Sequence, residues 1–219
     1  MPNLATQPKQ ETDVLFFEED SQFSREAVVI ADGESIAIGQ VLGQAVTGSA
    51  SAVADAGNTG DGAMGAITVG AEAQPGDYVL TIMEAAANAG RFHLVDPEGD
   101  VVGEGNVAAA FSGGGLSFTL ADGAADFVVG DFITITVADG TGKYYALDLT
   151  GTDGREDAAA VSLREAAPSG ADGVAVSLVR HSVVKGTGLV WPAGITAGQK
   201  ANALAQLEAK GILQRTVTG

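Results

Sequence analysis

The chain has 219 residues, of which 46% are hydrophobic, enough for one large domain or two small ones with a buried core. Its formal net charge of −17 excludes nucleic acid as an expected partner, because phosphate binding requires clustered Lys and Arg. The absence of Cys excludes disulfides, thiolate catalysis and Cys-ligated zinc, and fits assembly in a reducing cytoplasm.

Residues 1–22 are predicted to form a flexible N-terminal arm. They are polar and charged apart from four adjacent apolar residues, and they show no period long enough for a self-burying element. A frayed terminus without a role is the alternative. The apolar residues between acidic flanks favour a binding role, and they are Val14, Leu15, Phe16 and Phe17.

The next segment, residues 23–56, predicts short strands and tight turns. Two apolar runs, Ala27–Ile30 and Ile36–Ile38, flank an Asp-Gly turn signal. Residues 49–56 are small and polar enough to be a linker.

Residues 57–140 predict a self-contained unit resembling a β-sandwich, because alternating apolar residues recur between clusters of turn-forming residues. The segment carries 12 acids against one base, net −11, whereas residues 141–219 carry 7 acids against 8 bases, net +1. This step in charge predicts a boundary near residue 140. Three sets of alternating residues predict inner sheet faces: Tyr78, Leu80 and Ile82; Leu116, Phe118 and Leu120; and Ile133, Ile135 and Val137.

The last segment predicts three strands and one helix. The strands are expected within 144–149, 159–163 and 174–184, and the helix over 197–210. Thr196 and Gln199 have the spacing of a capping box at the start of this helix, and Gly211 can take the left-handed position after its end. The residues predicted to share its buried face are Ala197, Ala201, Leu204 and Leu207.

No pattern in the sequence predicts catalysis, a cofactor or a metal site. His93 and His181 lack the spacing that would place two imidazoles on one metal, and no GxSxG motif occurs. The Asp-Gly pairs lack the spacing of calcium loops and are interpreted as hairpin turns, with an incidental calcium site as the alternative. We expect a protein that is not an enzyme.

The sequence VRHSVVKGTGLVWPAGITAGQKANALAQLEAKGILQR, residues 179–215, resembles the end of the phage lambda type of head decoration proteins. Residues 24–44, SREAVVIADGESIAIGQVLGQ, are similar to the opening of that family. The positions that match in the closing segment are Arg180, Trp191, Pro192, Ile195, Thr196, Leu207, Gly211, Ile212 and Arg215.

This resemblance implies a fold that is mainly β with one C-terminal α-helix, in which a split capsid decoration domain, 23–56 plus 141–219, carries 57–140 as an inserted domain. It also implies a capsid decoration (cement) protein that binds the outer surface of the expanded phage head at three-fold and quasi-three-fold sites. Such a protein acts as a homotrimer, stabilises the head against internal DNA pressure, and has the major capsid protein as its partner. Its expected location is the virion, after assembly in the host cytoplasm, with no nucleic-acid or membrane partner.

Two groups of residues are the predicted sites. The four apolar residues at 14–17 are expected to grip the capsid by adding a strand to an exposed sheet edge. A second group is expected to serve core packing or the trimer interface: Trp191, Pro192, Ile195, Leu204 and Leu207.

Two other functional hypotheses remain open at this point. Residues 57–140 could form a head-displayed recognition module that binds host-surface glycans, alone or together with the decoration role. An enzyme such as a polysaccharide hydrolase would need paired carboxylates in a cleft, but the acids fall mainly at predicted turns.

Overall fold

The structure, a computed structural model, describes residues 7–215. The chain forms two compact units. The first, which we call the split unit, contains the chain up to Ala45 and from Gly142 onward. The second, the continuous unit, spans Val46–Thr141.

The fold is mainly β, with several sheets and one longer helix near the C-terminal end, as the sequence predicts. The one-turn helix α1 spans Ser21–Ser24, and α2 spans Ala197–Ala209. The strands are β1 (Leu15–Glu18), β2 (Arg25–Ile30), β3 (Val41–Gln44), β4 (Thr47–Ala54), β5 (Thr68–Val69), β6 (Gly76–Ala86), β7 (Ala89–Val95), β8 (Val101–Asn106), β9 (Ala110–Gly113), β10 (Leu116–Thr119), β11 (Phe132–Asp139), β12 (Tyr144–Ala146), β13 (Ala158–Ser162), β14 (Gly173–Leu178), β15 (Ser182–Lys185) and β16 (Ile212–Arg215).

Five short strands of the split unit close into a barrel in the order β12-β2-β14-β13-β3. Strand β13, with the sequence AAAVS, is buried along its whole length, which its small side chains allow. Closure leaves this sheet without a free edge. Ile30 and Leu42 are fully buried in the cluster that β2 and β3 share with β13 and β14.

A second sheet of the split unit has the order β1-β15-β16, with β1 antiparallel and β16 parallel to β15. Helix α2 contacts β16 and β13. Its Leu207 is fully buried in one cluster with Val184 and Ile212 of this sheet. The sheet and the helix therefore share a core.

The predicted ends of α2 are confirmed. The Thr196 hydroxyl accepts the N–H of Gln199, the Gln199 side chain accepts the N–H of Thr196, and Gly211 has a φ of 76°. The predicted buried face is wrong in its first half, because Ala197 and Ala201 are exposed. Ala203 and Leu207 are buried instead, with Leu204 half-buried beside them.

Two sheets of the continuous unit enclose one core, as in a β-sandwich. Their strand orders are β4-β11-β6-β7-β8 and β5-β10-β9. All three predicted inner faces, on β6, β10 and β11, are buried at 5% exposure or less. Phe92, Phe111 and Phe118 add an aromatic cluster with ring centroids 4.9–6.1 Å apart.

The structure differs from the sequence prediction at three places. Residues 49–56 were expected to be a linker of the decoration domain, but β4 pairs with β11 and belongs to the continuous unit. The expected strand 174–184 is two strands in different sheets, separated at His181, which has a φ of 41°. Residues 36–38 form no strand, and Ile36 makes only an isolated bridge to Ala166.

Candidate functional site

The N-terminal segment is docked onto the split unit over its described part, which differs from the predicted flexible arm. Residues 1–6 of that arm lie outside the described residues. Val14 is fully buried, and its carbonyl accepts the N–H of Lys185 at 2.7 Å. The Lys185 ammonium donates to the carbonyl of Thr12, and the Lys9 ammonium to that of Gly188. Burial lowers the pKa of Lys9.

Arg25, the first residue of β2, forms ion pairs with Glu11 and Glu18 on either side of Val14 in the N-terminal segment. Its guanidinium donates two 2.7 Å hydrogen bonds to the carboxylate of Glu18 and lies 2.5 Å from that of Glu11. Glu11 also pairs with Arg164 at 3.1 Å. The hydrogen bonds from Arg25 to Glu18, together with those to Glu11, raise its pKa, and they outweigh burial, which by itself would lower that pKa. Both glutamates are only about one-fifth exposed, so the pairing is more than a loose surface contact.

Strand β1 exposes two aromatic residues in succession. It pairs with β15 through Leu15 and Phe17, and the register shifts between them, so that Phe16 is an extra residue. An undisturbed strand would turn neighbouring side chains to opposite faces. Here Phe16 is 57% and Phe17 58% exposed, whereas Leu15 packs against the core.

Helix α1 brings a third exposed aromatic side chain to the same region. Asp20 caps the helix by accepting the N–H of Gln22. Phe23, in the same helix, is 47% exposed to solvent. Its ring lies 5.2 Å from that of His181, and the Arg180 guanidinium lies 5.4 Å from the ring centroid. Arg180 also donates to the carbonyl of Phe23 and pairs with a glutamate of β2.

Two of these side chains, Phe17 and His181, line a shallow cleft of about 240 Å³. We call Phe16, Phe17, Phe23 and His181 the aromatic surface. Exposed aromatic residues with charged neighbours are typical of protein-binding surfaces. The residues that line the cleft are Phe17, Glu19, His181, Ser182, Val183, Gly211 and Leu213.

The predicted capsid-binding residues therefore divide into two kinds. Val14 and Leu15 anchor the segment to its own core, while Phe16 and Phe17 face outward. Phe23 and His181 were not predicted as part of the site. Asp20 is a typical N-cap residue and could have predicted the start of helix α1. The contact between Phe23 and His181, which are 158 positions apart, has no local signal in the sequence.

The predicted C-terminal residues lie in and around the core of the split unit. Leu207 is buried, and Trp191 and Leu204 pack against the same cluster. The Lys200 ammonium lies 5.2 Å from the Trp191 ring centroid. Pro192 and Ile195 are half-buried. Core packing accounts for Leu207, Trp191 and Leu204. A role of this group in a trimer interface stays a prediction.

One group of acids in the described range has a spacing suited to a metal ion, namely Asp96, Glu98 and Asp100. Asp96 already accepts the N–H groups of Glu98 and Asp100 within the predicted turn. The carboxylate thus has a structural partner. No helix among the described residues is long and apolar enough to cross a membrane.

The chain matches the family model of bacteriophage lambda head decoration protein D over residues 4–212. No curated protein matches it significantly. Two crystal structures of FlgL from Xanthomonas campestris, in space groups H3 and C2, are similar at 21% and 19% identity. The similarity covers 48% and 47% of this chain but 34% and 33% of the FlgL chains, and TM-scores of 0.33 give it no weight for the fold.

Proposed function

This chain belongs to the bacteriophage lambda head decoration protein D family, and from that premise we propose that it binds the outside of the expanded phage head as a homotrimer. The family implies a capsid decoration role, a location on the virion capsid and a structural rather than an enzymatic protein. The observation that carries the proposal is the length of the family match, which extends through both units. Three-fold and quasi-three-fold sites are the proposed positions.

The aromatic surface is the proposed contact with the major capsid protein. It combines large apolar side chains at 47–58% exposure with charged neighbours, as protein interfaces do. Docking of Val14 and the pairing of Arg25 with both flanking glutamates hold β1 in place before binding. Less conformational entropy is then lost on association than for a free arm. This replaces the expected mechanism in which a disordered arm folds on the capsid.

Binding linkage is the proposed mechanism of stabilisation. A ligand that binds only the expanded lattice lowers the free energy of that lattice by its own binding free energy. A trimer that bridges neighbouring capsid subunits also gains from effective concentration, so that modest individual contacts suffice. Resistance to internal DNA pressure follows from the sum over many copies.

The test uses heads that lack this protein, in the expanded and the unexpanded form. Purified protein is added, occupancy is measured by sedimentation, and decorated heads are reconstructed by electron microscopy. We expect binding to expanded heads, density at three-fold positions and better retention of DNA on heating. Absence of binding to expanded heads would refute the decoration role itself, and density elsewhere would refute the proposed positions.

Two variants and one control test the aromatic surface. Phe16→Ser and Phe17→Ser should each weaken head binding about tenfold or more, since central aromatic residues dominate many interfaces. Val174→Ser is the matched control, because Val174 is 63% exposed on β14 of the same unit. If all three variants bind like the unaltered protein, the aromatic surface is not the contact.

A further inference from the structure

The sheet formed by β1, β15 and β16 has a row of apolar side chains across its outer face. Phe17 of β1 lies opposite Val183 of β15, which in turn lies opposite Leu213 of β16. Neighbouring side chains of a strand point to opposite faces. This apolar row therefore lies on the face away from Val184 and Ile212, which are buried in the core shared with helix α2. Phe17 is 58% exposed, and the other two residues of the row are half-buried.

The cleft over the apolar row has room for a side chain rather than for a small-molecule ligand. Its volume of about 240 Å³ is below the roughly 300–1,000 Å³ typical of ligand pockets. The apolar row is its floor, and Glu19, His181 and Gly211 lie at one end. An apolar side chain of a partner that fills the cleft would remove apolar surface of both proteins from water, which favours binding.

One end of this sheet carries an exposed carboxylate. Glu19 follows the last residue of β1, and because β1 is antiparallel to β15, it lies at the end where β15 begins. The Glu19 side chain is 64% exposed. Over residues 7–215 its one ion-pair contact is with Nδ1 of His181 at 3.4 Å, and that contact is charged only when the imidazole is protonated. A basic side chain of a partner would therefore find a carboxylate that no Lys or Arg of the described chain neutralises.

The other end of the sheet carries two cations side by side. Lys185 of β15 lies opposite Arg215 of β16. They are two residues beyond Val183 and Leu213 and therefore lie on the same outer face. The Lys185 ammonium donates to the neutral carbonyl of Thr12, and within the part of the chain that the structure describes neither cation pairs with a carboxylate. Like charges directly opposite each other in a sheet are destabilising, so an anionic group between them would relieve that cost.

Charge and spacing together define the segment that fits this face. The basic pair, the apolar row and Glu19 follow one another along the strands at intervals of two residues, which is about 7 Å each. An extended chain presents side chains i, i+2 and i+4 on one side at the same interval. The complementary segment therefore has the pattern acidic-x-apolar-x-basic.

A second copy of the same face is a poor occupant. Two identical faces meet across a two-fold axis, where the cleft of one copy would oppose the cleft of the other and both would stay unfilled. The proposed trimer has a three-fold axis, which brings two different surfaces together. Under the proposed decoration role, the protein that every copy meets is the major capsid protein.

We propose that the outer face of this sheet receives an extended segment of the major capsid protein with the pattern acidic-x-apolar-x-basic. Its central side chain fills the cleft, its acidic side chain lies between Lys185 and Arg215, and its basic side chain pairs with Glu19. This inference rests on the proposed head binding and adds the chemistry of the partner. It extends the contact from Phe17 and His181 of the aromatic surface to β16.

The apolar contact is tested with expanded heads that lack this protein. Val183→Thr keeps a β-branched side chain and makes the floor of the cleft polar, while Leu213→Ala shortens the floor at β16. Head binding should weaken about threefold for the first variant and about tenfold for the second. Val174→Thr, at an exposed position of β14, is the matched control and should bind like the unaltered protein. Urea unfolding checks that each variant is folded.

The charged contacts have a signature that net charge alone does not produce. Arg215→Gln and Glu19→Gln change the net charge in opposite directions, yet each removes one local ion pair. Both should therefore weaken head binding about three- to tenfold and make it less sensitive to salt. A general repulsion or attraction between the acidic chain and the head would shift the two affinities in opposite directions. Arg91→Gln, at an exposed position of the continuous unit, repeats the charge change of Arg215→Gln and should leave head binding unchanged.

Three results would overturn this inference and leave the decoration role standing. They are normal head binding by all four variants of the sheet, opposite effects of the two charge variants, or an altered oligomeric state of Val183→Thr or Leu213→Ala in light scattering. The last result would assign the face to another copy of the chain. If the unaltered protein does not bind expanded heads, head binding itself is refuted, and this inference with it.

Discussion

Asp131 is a buried carboxylate that organises a loop of the continuous unit. It is 5% exposed and accepts the N–H groups of Thr59, Gly60 and Val128 at 2.9–3.0 Å. Burial opposes its ionisation, but the three donated hydrogen bonds prevail and lower its pKa. No sequence motif singles this residue out, because its donors come from segments about 70 positions apart as well as from its own turn.

The Asp131→Asn substitution should therefore destabilise the continuous unit. The Asn side chain has an NH2 group in place of one carboxylate oxygen, so a donor would face a backbone N–H that Asp131 accepts. We expect the free energy of unfolding to fall by about 1–3 kcal/mol at pH 7. Because the folded-state pKa is lowered, the contribution of Asp131 is full above the unfolded value of about 3.9 and is lost as the pH falls through the folded value. Urea unfolding at pH 7 and below pH 4 measures this. The variant should lose less stability on acidification than the unaltered protein, and an equal acid dependence would contradict the assignment.

Val14 and Phe16 are close in sequence but differ in what they stabilise. Val14→Ala should lower the free energy of unfolding by about 2 kcal/mol, because it removes buried methyl groups from the core. Phe16→Ala should change it by less than about 0.5 kcal/mol, because the ring is 57% exposed. Chemical denaturation of both variants decides the matter. Equal effects would mean that the segment is not docked as described.

Local signals account for the elements that sequence predicts well. The capping box of α2 and the Gly211 that follows it involve residues within a few positions of each other, and so do the alternating faces of β6, β10 and β11. The pairing of β1 with β15 joins residues about 165 positions apart, and no local pattern specifies it. The small and polar residues 49–56 predict a linker, but most of them lie in β4, and the pairing of β4 with the distant strand β11 has no local signal in the sequence.

The capping box of α2 should contribute measurably to stability. Thr196→Ala removes the acceptor for the N–H of Gln199 and should cost about 1 kcal/mol. Thr196→Ser keeps the hydroxyl and is the matched control, expected to retain nearly all of that stability. Since Thr196 and Gln199 act reciprocally, the double Ala variant should cost less than the two single variants summed. Strict additivity in urea unfolding would argue against the box.

At the scale of the whole molecule, the chain leaves the split unit and returns to it at neighbouring points. The N–H of Gly142 donates to the carbonyl of Ala45 at 2.8 Å, and that of Ala45 to the carbonyl of Lys143 at 3.0 Å. Beyond these bonds, β3 and β12 continue as an antiparallel pair, with Gln44 opposite Tyr144. The change in charge near residue 140 lies close to the point where the chain returns to the split unit, at Gly142. The point where the chain leaves that unit, after Ala45, has no comparable signal in the composition.

This geometry predicts that the continuous unit can be excised. Replacing residues 46–141 by an Asn-Gly turn would convert β3 and β12 into an ordinary hairpin, since two-residue turns of this kind join antiparallel neighbours. Both clusters of buried residues in the split unit lie wholly outside the removed segment. We expect the shortened chain to unfold cooperatively and, if the aromatic surface is the head contact, to bind expanded heads with undiminished affinity. The isolated residues 46–141 should fold and fail to bind heads. If the shortened chain folds but does not bind heads, the continuous unit makes the head contact. If the shortened chain does not fold, the split unit does not fold independently.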